Sequence, residues 1–165
     1  MASRITYTLR GDDLHNIIQL AERGDVNNQL GLGSLYRREG AGERLEDPRS
    51  GELTRVREEL EVEEDPVESA RWFRRAAEAG NARGQLQLAE CFYIGYGVTQ
   101  DFAQAAEYYR KSAEQGHPVA QRCLGDMYVT GNGVRRQPVL AATWYQRATD
   151  QGDASAQYFV ATAMV

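Results

Sequence analysis

The chain has 165 residues, a formal charge of -5 and 42% apolar residues, enough to build one soluble domain core without a disulfide framework or a metal staple. It contains no stretch of about 18 consecutive apolar residues, and Met1 to Arg10 has no apolar core ahead of a small-residue cleavage site, so a cytoplasmic protein is expected. All but one of the 19 basic residues are arginine, the exception being Lys111, and they are not gathered into the uncompensated patch that phosphate binding requires; no nucleic acid and no membrane are expected as partners.

From the N-terminus, Met1 to Arg10 reads as extended, and Asp12 to Arg23 as a capping helix. Ala21-Glu22-Arg23-Gly24 then leads through Asn28-Gln29 and Leu32-Gly33 to Leu35-Tyr36, a second helix ending near residue 36. Residues 37–65 interrupt the pattern. Tyr36 to Asp65 takes 29 residues where the corresponding step from Phe92 to Asp101 takes 9, so this connection carries an insertion of 20. Residues 43–65 hold ten acids against four arginines. Within them Leu53, Val56 and Leu60 stand at helical spacing and predict a short helix, followed by a solvated stretch with six acids between Glu58 and Asp65. A connection this long is either functional or disordered.

From residue 66 onward the chain repeats with a period of 36: Trp72-Phe73, Tyr108-Tyr109 and Trp144-Tyr145 recur, as do Gly80, Gly116 and Gly152, and the pairs Gly95/Gly97 and Gly131/Gly133. Between these anchors the small and apolar residues fall at helical spacing, for example Gly84, Leu88 and Phe92, then Ala120, Leu124 and Tyr128, so each period is a helical hairpin. Gly80, Gly116 and Gly152 close helices in the left-handed conformation, Asp101 is placed to cap the next helix, and Pro66 and Pro138 fall in first turns where the missing amide hydrogen costs nothing. Asp153 to Val165 reads as the first helix of a further hairpin. Its mostly apolar end, from Tyr158 to Val165, is expected either to pack with an exposed outer face or to meet a partner or a second copy of the chain as a homodimer.

The run Ala105-Ala106-Glu107-Tyr108-Tyr109-Arg110-Lys111-Ser112-Ala113-Glu114-Gln115-Gly116-His117-Pro118-Val119-Ala120-Gln121, continuing to Leu124-Gly125-Asp126-Met127-Tyr128 and Gly131-Asn132-Gly133-Val134, resembles the Sel1-like repeat family, a relative of the tetratricopeptide repeats. The resemblance covers about residues 66–165, with a weaker copy beginning near residue 12. It implies an all-α fold, an alpha-alpha superhelix or solenoid of about three hairpins plus terminal helices, and a single repeat domain spanning 1–165.

Residues able to carry chemistry are sparse. His15 and His117 cannot supply a multi-histidine metal site, and no metal or cofactor is expected. His117, directly after Gly116, reads as a helix cap. Gly31-Leu32-Gly33-Ser34 looks like a phosphate loop but corresponds to Cys123-Leu124-Gly125-Asp126 in mid-helix and reads as a packing motif. Cys91 and Cys123 read as buried thiols, and on a helix His117 and Cys123 point about 120 degrees apart, a poor nucleophile-base pair, so no enzyme is expected. Cysteine-rich members of the family are associated with beta-lactam binding, but their disulfide in each repeat cannot be built from two cysteines. The recurring aromatics read as core. Arg75, Lys111 and Arg147 read as ion-paired to Glu78, Glu114 and Asp150, three residues later in each unit.

Positions that serve structure should repeat from unit to unit, whereas positions that serve a ligand need not. On the first helix of each hairpin, Asn28/Gly84/Ala120/Ala156, Leu32/Leu88/Leu124/Val160 and Tyr36/Phe92/Tyr128/Met164 keep a mostly small or apolar character. The opposite arc changes: Asn27/Arg83/Val119/Ser155, Leu30/Leu86/Arg122/Tyr158, Gly31/Gln87/Cys123/Phe159 and Ser34/Glu90/Asp126/Thr162. The resemblance implies that first helices line a concave groove, which puts Arg83, Leu86, Glu90, Val119, Arg122, Asp126, Tyr158 and Phe159 forward as partner-binding residues. The expectation is a non-catalytic scaffold or adaptor holding a peptide or folded protein partner. The alternative is a bacterial immunity protein or dedicated chaperone that neutralises a cognate toxin or secreted effector, with the acidic insertion facing a basic site.

Overall fold

A computed structural model describes residues 11–37, 44–46, 53–55 and 63–163. Eight helices run through the described residues: α1 (Gly11–Glu22), α2 (Val26–Tyr36), α3 (Pro66–Glu78), α4 (Ala82–Ile94), α5 (Phe102–Glu114), α6 (Pro118–Thr130), α7 (Pro138–Asp150) and α8 (Ala154–Ala163). Each packs chiefly on its neighbours in sequence, the connectivity of a solenoid, with α6 also touching α8. The first helices of successive hairpins are α2, α4, α6 and α8, and the second helices are α3, α5 and α7. The predicted all-α architecture and the N-terminal helix are therefore present. The extended reading of Met1 to Arg10 lies outside the described residues.

Local chemistry sets the helix ends. Asp25, Asn81, Asp101 and Asp153 each accept a hydrogen bond from the backbone N–H three residues on, at 2.8 to 3.0 Å. Asp65 caps α3 from the same position, and Pro66, Pro118 and Pro138 open their helices. His117 departs from expectation. It stands at the start of α6 in the extended backbone of a cap, but its side chain makes no capping bond, and its Nδ1 is buried without a partner. A cap needs a short side chain that turns an oxygen back onto its own helix, and the imidazole does not do so here.

The turn glycines differ in what surrounds them. Gly97 and Gly133 adopt φ of 67° and 68°, and a Cβ on either would collide with the backbone carbonyl of Pro66 or Phe102 at the start of the preceding second helix. These turns thereby fix the distance between one hairpin and the next. Inside the first helices, a Cβ on Gly33 would lie 2.5 Å from the Phe73 ring and one on Gly125 would lie 2.7 Å from Tyr145, which accounts for the glycine-rich sequence there as close packing.

The aromatic pairs form the core. Trp72, Phe73, Tyr109, Trp144 and Tyr145 are buried, with Tyr108 half-buried and stacked on Phe92. A polar ladder unannounced by hydropathy runs beside them. Gln29, Gln85 and Gln121 are buried, and each donates from Nε2 to the carbonyl of Ala21, Ala77 or Ala113 near the end of the preceding helix. Gln115 and Gln151 donate in turn to the Oε1 atoms of Gln85 and Gln121, at 2.7 and 2.8 Å. Buried carbonyls at helix ends are thus satisfied by the repeat itself.

The basic ladder is held differently from the expected forward ion pairs. Arg75 lies over the ring of Trp72, Lys111 over Tyr108 and Arg147 over Trp144, with the cation 5.2, 4.9 and 4.7 Å from the ring centre. Side chains on a helix lean toward its N-terminus, so these cations reach back to the ring three residues before them. Lys111 also reaches back to Glu107 at 3.4 Å.

The insertion is spliced into a loop that keeps its closure. In the regular hairpins the N–H of Asp101 donates to Phe92 O and that of Gln137 to Tyr128 O. The N–H of Asp65 donates to Tyr36 O in the same way, all three at 2.9 Å. Within the insertion, β1 (Arg44–Glu46) and β2 (Leu53–Arg55) pair antiparallel, Leu53 opposite Glu46 and Arg55 opposite Arg44. The helix predicted from Leu53 therefore begins as a strand. Three apolar residues at helical spacing are a weak signal against the turn-forming Asp47-Pro48-Arg49-Ser50-Gly51 just before them, which favours a hairpin. Val56, Leu60 and the acidic run through Val62 lie outside the described residues.

Candidate functional site

The variable arc of the first helices is not equally open along its length. On α2, Leu30, Gly31 and Ser34 are buried, and β1 packs against this helix. On α4, Arg83 is exposed, whereas Leu86 is 5% exposed and belongs to the core, so it offers packing and almost no contact surface.

Gln87 and Glu90 receive an arginine from within the chain. Arg37, the residue that follows α2, donates from Nη1 to Gln87 Oε1 at 3.0 Å and to Glu90 Oε2 at 3.1 Å, and its guanidinium lies 5.3 Å from the centre of the Tyr96 ring. Tyr96 donates its hydroxyl to Glu64 at 2.8 Å. Both ends of the insertion are consequently fastened to the α4–α5 unit.

A second cluster lies on α6 and α8. Arg122 pairs with Asp126 at 3.7 Å and with Asp153 at 3.4 Å, and the Tyr145 hydroxyl donates to Asp126 at 2.6 Å. Phe159 stacks on Tyr145, with ring centres 5.4 Å apart, and Tyr158 meets Phe159 edge-on at 5.7 Å. Tyr158 is 70% exposed. Val119 is half-buried against the core. Four of the residues singled out from the sequence, Arg122, Asp126, Tyr158 and Phe159, are thus brought together through Tyr145. Glu90 belongs to the Arg37 cluster, and Arg83 stands near His117, whose imidazole pKa is lowered by burial and by the Arg83 charge.

Burial governs the titratable groups here. It raises the Asp126 carboxyl, against the Tyr145 hydrogen bond and the Arg122 charge, and raises the Tyr145 phenol, helped by its bond to Asp126. Cys123 is pushed up to about 11 by burial, opposed by Arg122, and Cys91 is wholly buried. A thiol with that pKa stays protonated near neutral pH and is a poor nucleophile. Among the described residues no group of three His, Cys, Asp or Glu could hold a metal ion, and no helix is long and apolar enough to cross a membrane.

Arg37, Tyr96 and Asp153 were not among the residues singled out from the sequence. Asp153 could have been found as the cap of α8, whereas Arg37 meets Glu90 across the insertion, where the period gives no guide.

The Sel1 repeat model matches residues 58–81, 82–117 and 118–153, more than half of the chain. No match exists among curated proteins. Among solved structures, a protective antigen of uropathogenic Escherichia coli strains, described as displaying an SLR fold, is 34% identical with a TM-score of 0.74; the match covers 88% of this chain but 27% of the antigen. The Sel1 repeat protein from Oxalobacter formigenes is 31% identical with a TM-score of 0.71, over 91% of this chain and 98% of the other. Helicobacter pylori cysteine rich protein B, 20% identical with a TM-score of 0.61 over 89% and 94% of the two chains, shares the fold. The period, the turn glycines and these likenesses agree: the chain belongs to the Sel1 repeat family.

Proposed function

We propose that this chain is a non-catalytic interaction scaffold that holds a protein segment along the arc formed by α4, α6 and α8. Sel1-repeat proteins generally act as protein-interaction scaffolds, and the reading for this chain rests on one series of equivalent positions. Leu30 and Leu86 are buried, Arg122 is half-buried in ion pairs, and Tyr158 is 70% exposed, braced by Phe159 on Tyr145. An exposed tyrosine held in place by ring contacts loses little side-chain freedom on binding, which is why such residues serve as anchors. Arg83, Glu90, Val119, Arg122 and Asp126 supply the mixed surroundings of that anchor, and Leu86 supports them from beneath.

A photo-crosslinking residue at position 158, introduced in cells of the native host, tests this reading against the same residue at position 146 on the outer face of α7. A discrete adduct from 158 and none from 146 supports it. Equal labelling from both positions would remove the assignment, and an adduct of twice the chain mass would identify α8 as a homodimer contact. Arg122 is a poor target for disruption because Arg122→Glu would gather three carboxylates at Asp126 and Asp153.

A second reading, an immunity protein or dedicated chaperone, is favoured by the insertion. It is fastened to α4–α5 at its two ends, through Arg37 and Glu64, and its sequence is acidic. Rescue of growth when the chain is co-expressed with a candidate toxin separates this role from that of a general adaptor, which would yield several different adducts.

A further inference from the structure

We infer that the arc recognises arginine, and that Asp126 on α6, linked through Tyr145 to the Tyr158–Phe159 pair, is the seat for an arginine side chain of the partner segment. This rests on the reading that the arc binds a protein segment and names the chemistry it selects.

The chain carries its own example of such a seat. On α4 the Arg37 guanidinium is held by an amide oxygen, a carboxylate and an aromatic face, namely Gln87, Glu90 and Tyr96. Planar donors matched to a carboxylate, with a ring against the flat face, suit guanidinium better than ammonium. Asp126 stands at the position of Glu90 one repeat later. For Asp126 the residue equivalent to Arg37 is Tyr93 on α4, so the cation that reaches this acid is Arg122 of its own helix, at 3.7 Å.

The surroundings of Asp126 carry excess negative charge. Asp126 and Asp153 share Arg122, which approaches them at 3.7 and 3.4 Å, so the group of three carries one uncompensated negative charge. The Asp126 side chain is 40% exposed, and burial of the remainder disfavours its charged form, a cost that an incoming cation would offset. The Tyr145 hydroxyl fixes the carboxylate from one side, and Tyr145 also carries Phe159 and, through it, Tyr158, which connects the acid to two further rings. A guanidinium at Asp126 would thus find the same two elements, a carboxylate and an aromatic face.

The test is an NMR titration of the full ¹⁵N-labelled chain with the acetylated, amidated peptide Gly-Arg-Gly-Arg-Gly and with its citrulline counterpart, which keeps the shape and loses the charge. Amide shifts at Asp126, Tyr158 and Phe159, with at least tenfold tighter binding of the arginine peptide, are expected. The preference should fall below twofold in D126N. In Arg37→Ala a second set of shifts should appear at Gln87, Glu90 and Tyr96. Equal binding of the two peptides by the unaltered chain, or a preference that survives in D126N, would overturn the inference; the first comparison needs no variant to fold. A crosslinked adduct at residue 158 without arginine preference would sink this inference alone, whereas absence of any adduct would sink the reading beneath it.

Discussion

Replacing His117 by asparagine should stabilise the protein, and by more at acidic pH than near neutrality. Three other first helices begin with a side chain that accepts from the backbone: Asp25 from Asn28 N at 2.8 Å, Asn81 from Gly84 N at 2.9 Å and Asp153 from Ala156 N at 3.0 Å. His117 occupies the same place with φ -70° and ψ 115°, close to the -73° and 123° of Asn81, and makes no such bond. Asparagine can therefore cap α6 without moving the backbone. A regained cap contributes about 1 kcal/mol, and the loss of half-buried ring contact costs roughly 0.5 kcal/mol. Removing the unpartnered buried Nδ1 adds to the gain. The net of about 0.5 to 1 kcal/mol corresponds to roughly 1–4 °C in melting temperature for a chain of this size.

The pH dependence has a definite sign. Burial and Arg83 lower the His117 pKa below its ordinary 6.5, so the folded state takes up its proton less readily than the unfolded chain. Its contribution to stability is complete above about 6.5 and is lost as pH falls through the lowered folded value. Melting curves followed by circular dichroism at pH 7.5 and pH 5 should show H117N ahead at both, with the wider margin at pH 5. A lower melting temperature at pH 7.5, or a margin independent of pH, would refute the reasoning.

Gly97→Ala should cost about 3 kcal/mol or more, because it joins left-handed strain to a backbone collision, whereas Gly116→Ala, with φ 93° and open space around it, should cost about 1–2 kcal/mol; urea denaturation of the two variants checks the ordering. Gln121→Ala should lose about 1 kcal/mol by removing one hydrogen bond each from the Ala113 carbonyl and the Gln151 amide, which keep Gly116 N–H and the Arg147 carbonyl as partners, read from the same curves. A double-mutant cycle of Arg37→Ala with Glu90→Gln should give a coupling of about 1 kcal/mol or less, since the two side chains remain 13% and 31% exposed, and each variant should speed proteolytic nicking within 37–65.

What could be read from the sequence is what repeats. The 36-residue period placed the helices, the turn glycines and the aromatic core because each unit meets nearly the same environment as the next, and Asp101 and Pro138 act within their own few residues. The glutamine ladder has the same period but is hidden from hydropathy, since polarity alone suggests surface, while Gln85 and Gln121 are buried to satisfy carbonyls of the neighbouring helix. Arg75, Lys111 and Arg147 reach backward and not forward because spacing is symmetrical about a residue and the lean of helical side chains is not. Leu53 lay in a segment without a period, where helical and strand patterns of a few residues cannot be told apart.

The candidate site inverts this logic. Repetition makes the scaffold, so a surface that distinguishes one partner must be written in departures from repetition, such as Tyr158 where its equivalents are Leu86 and Arg122, or Tyr93 where the first copy has Arg37. Glu90 and Asp126 are equivalent acids held differently, one by an arginine carried in from the end of α2 and the other by Arg122 of its own helix and the Tyr145 hydroxyl. On the proposed reading, such differences between equivalent positions let a stacked fold fix where along its arc a partner binds without altering the hairpins that hold it up.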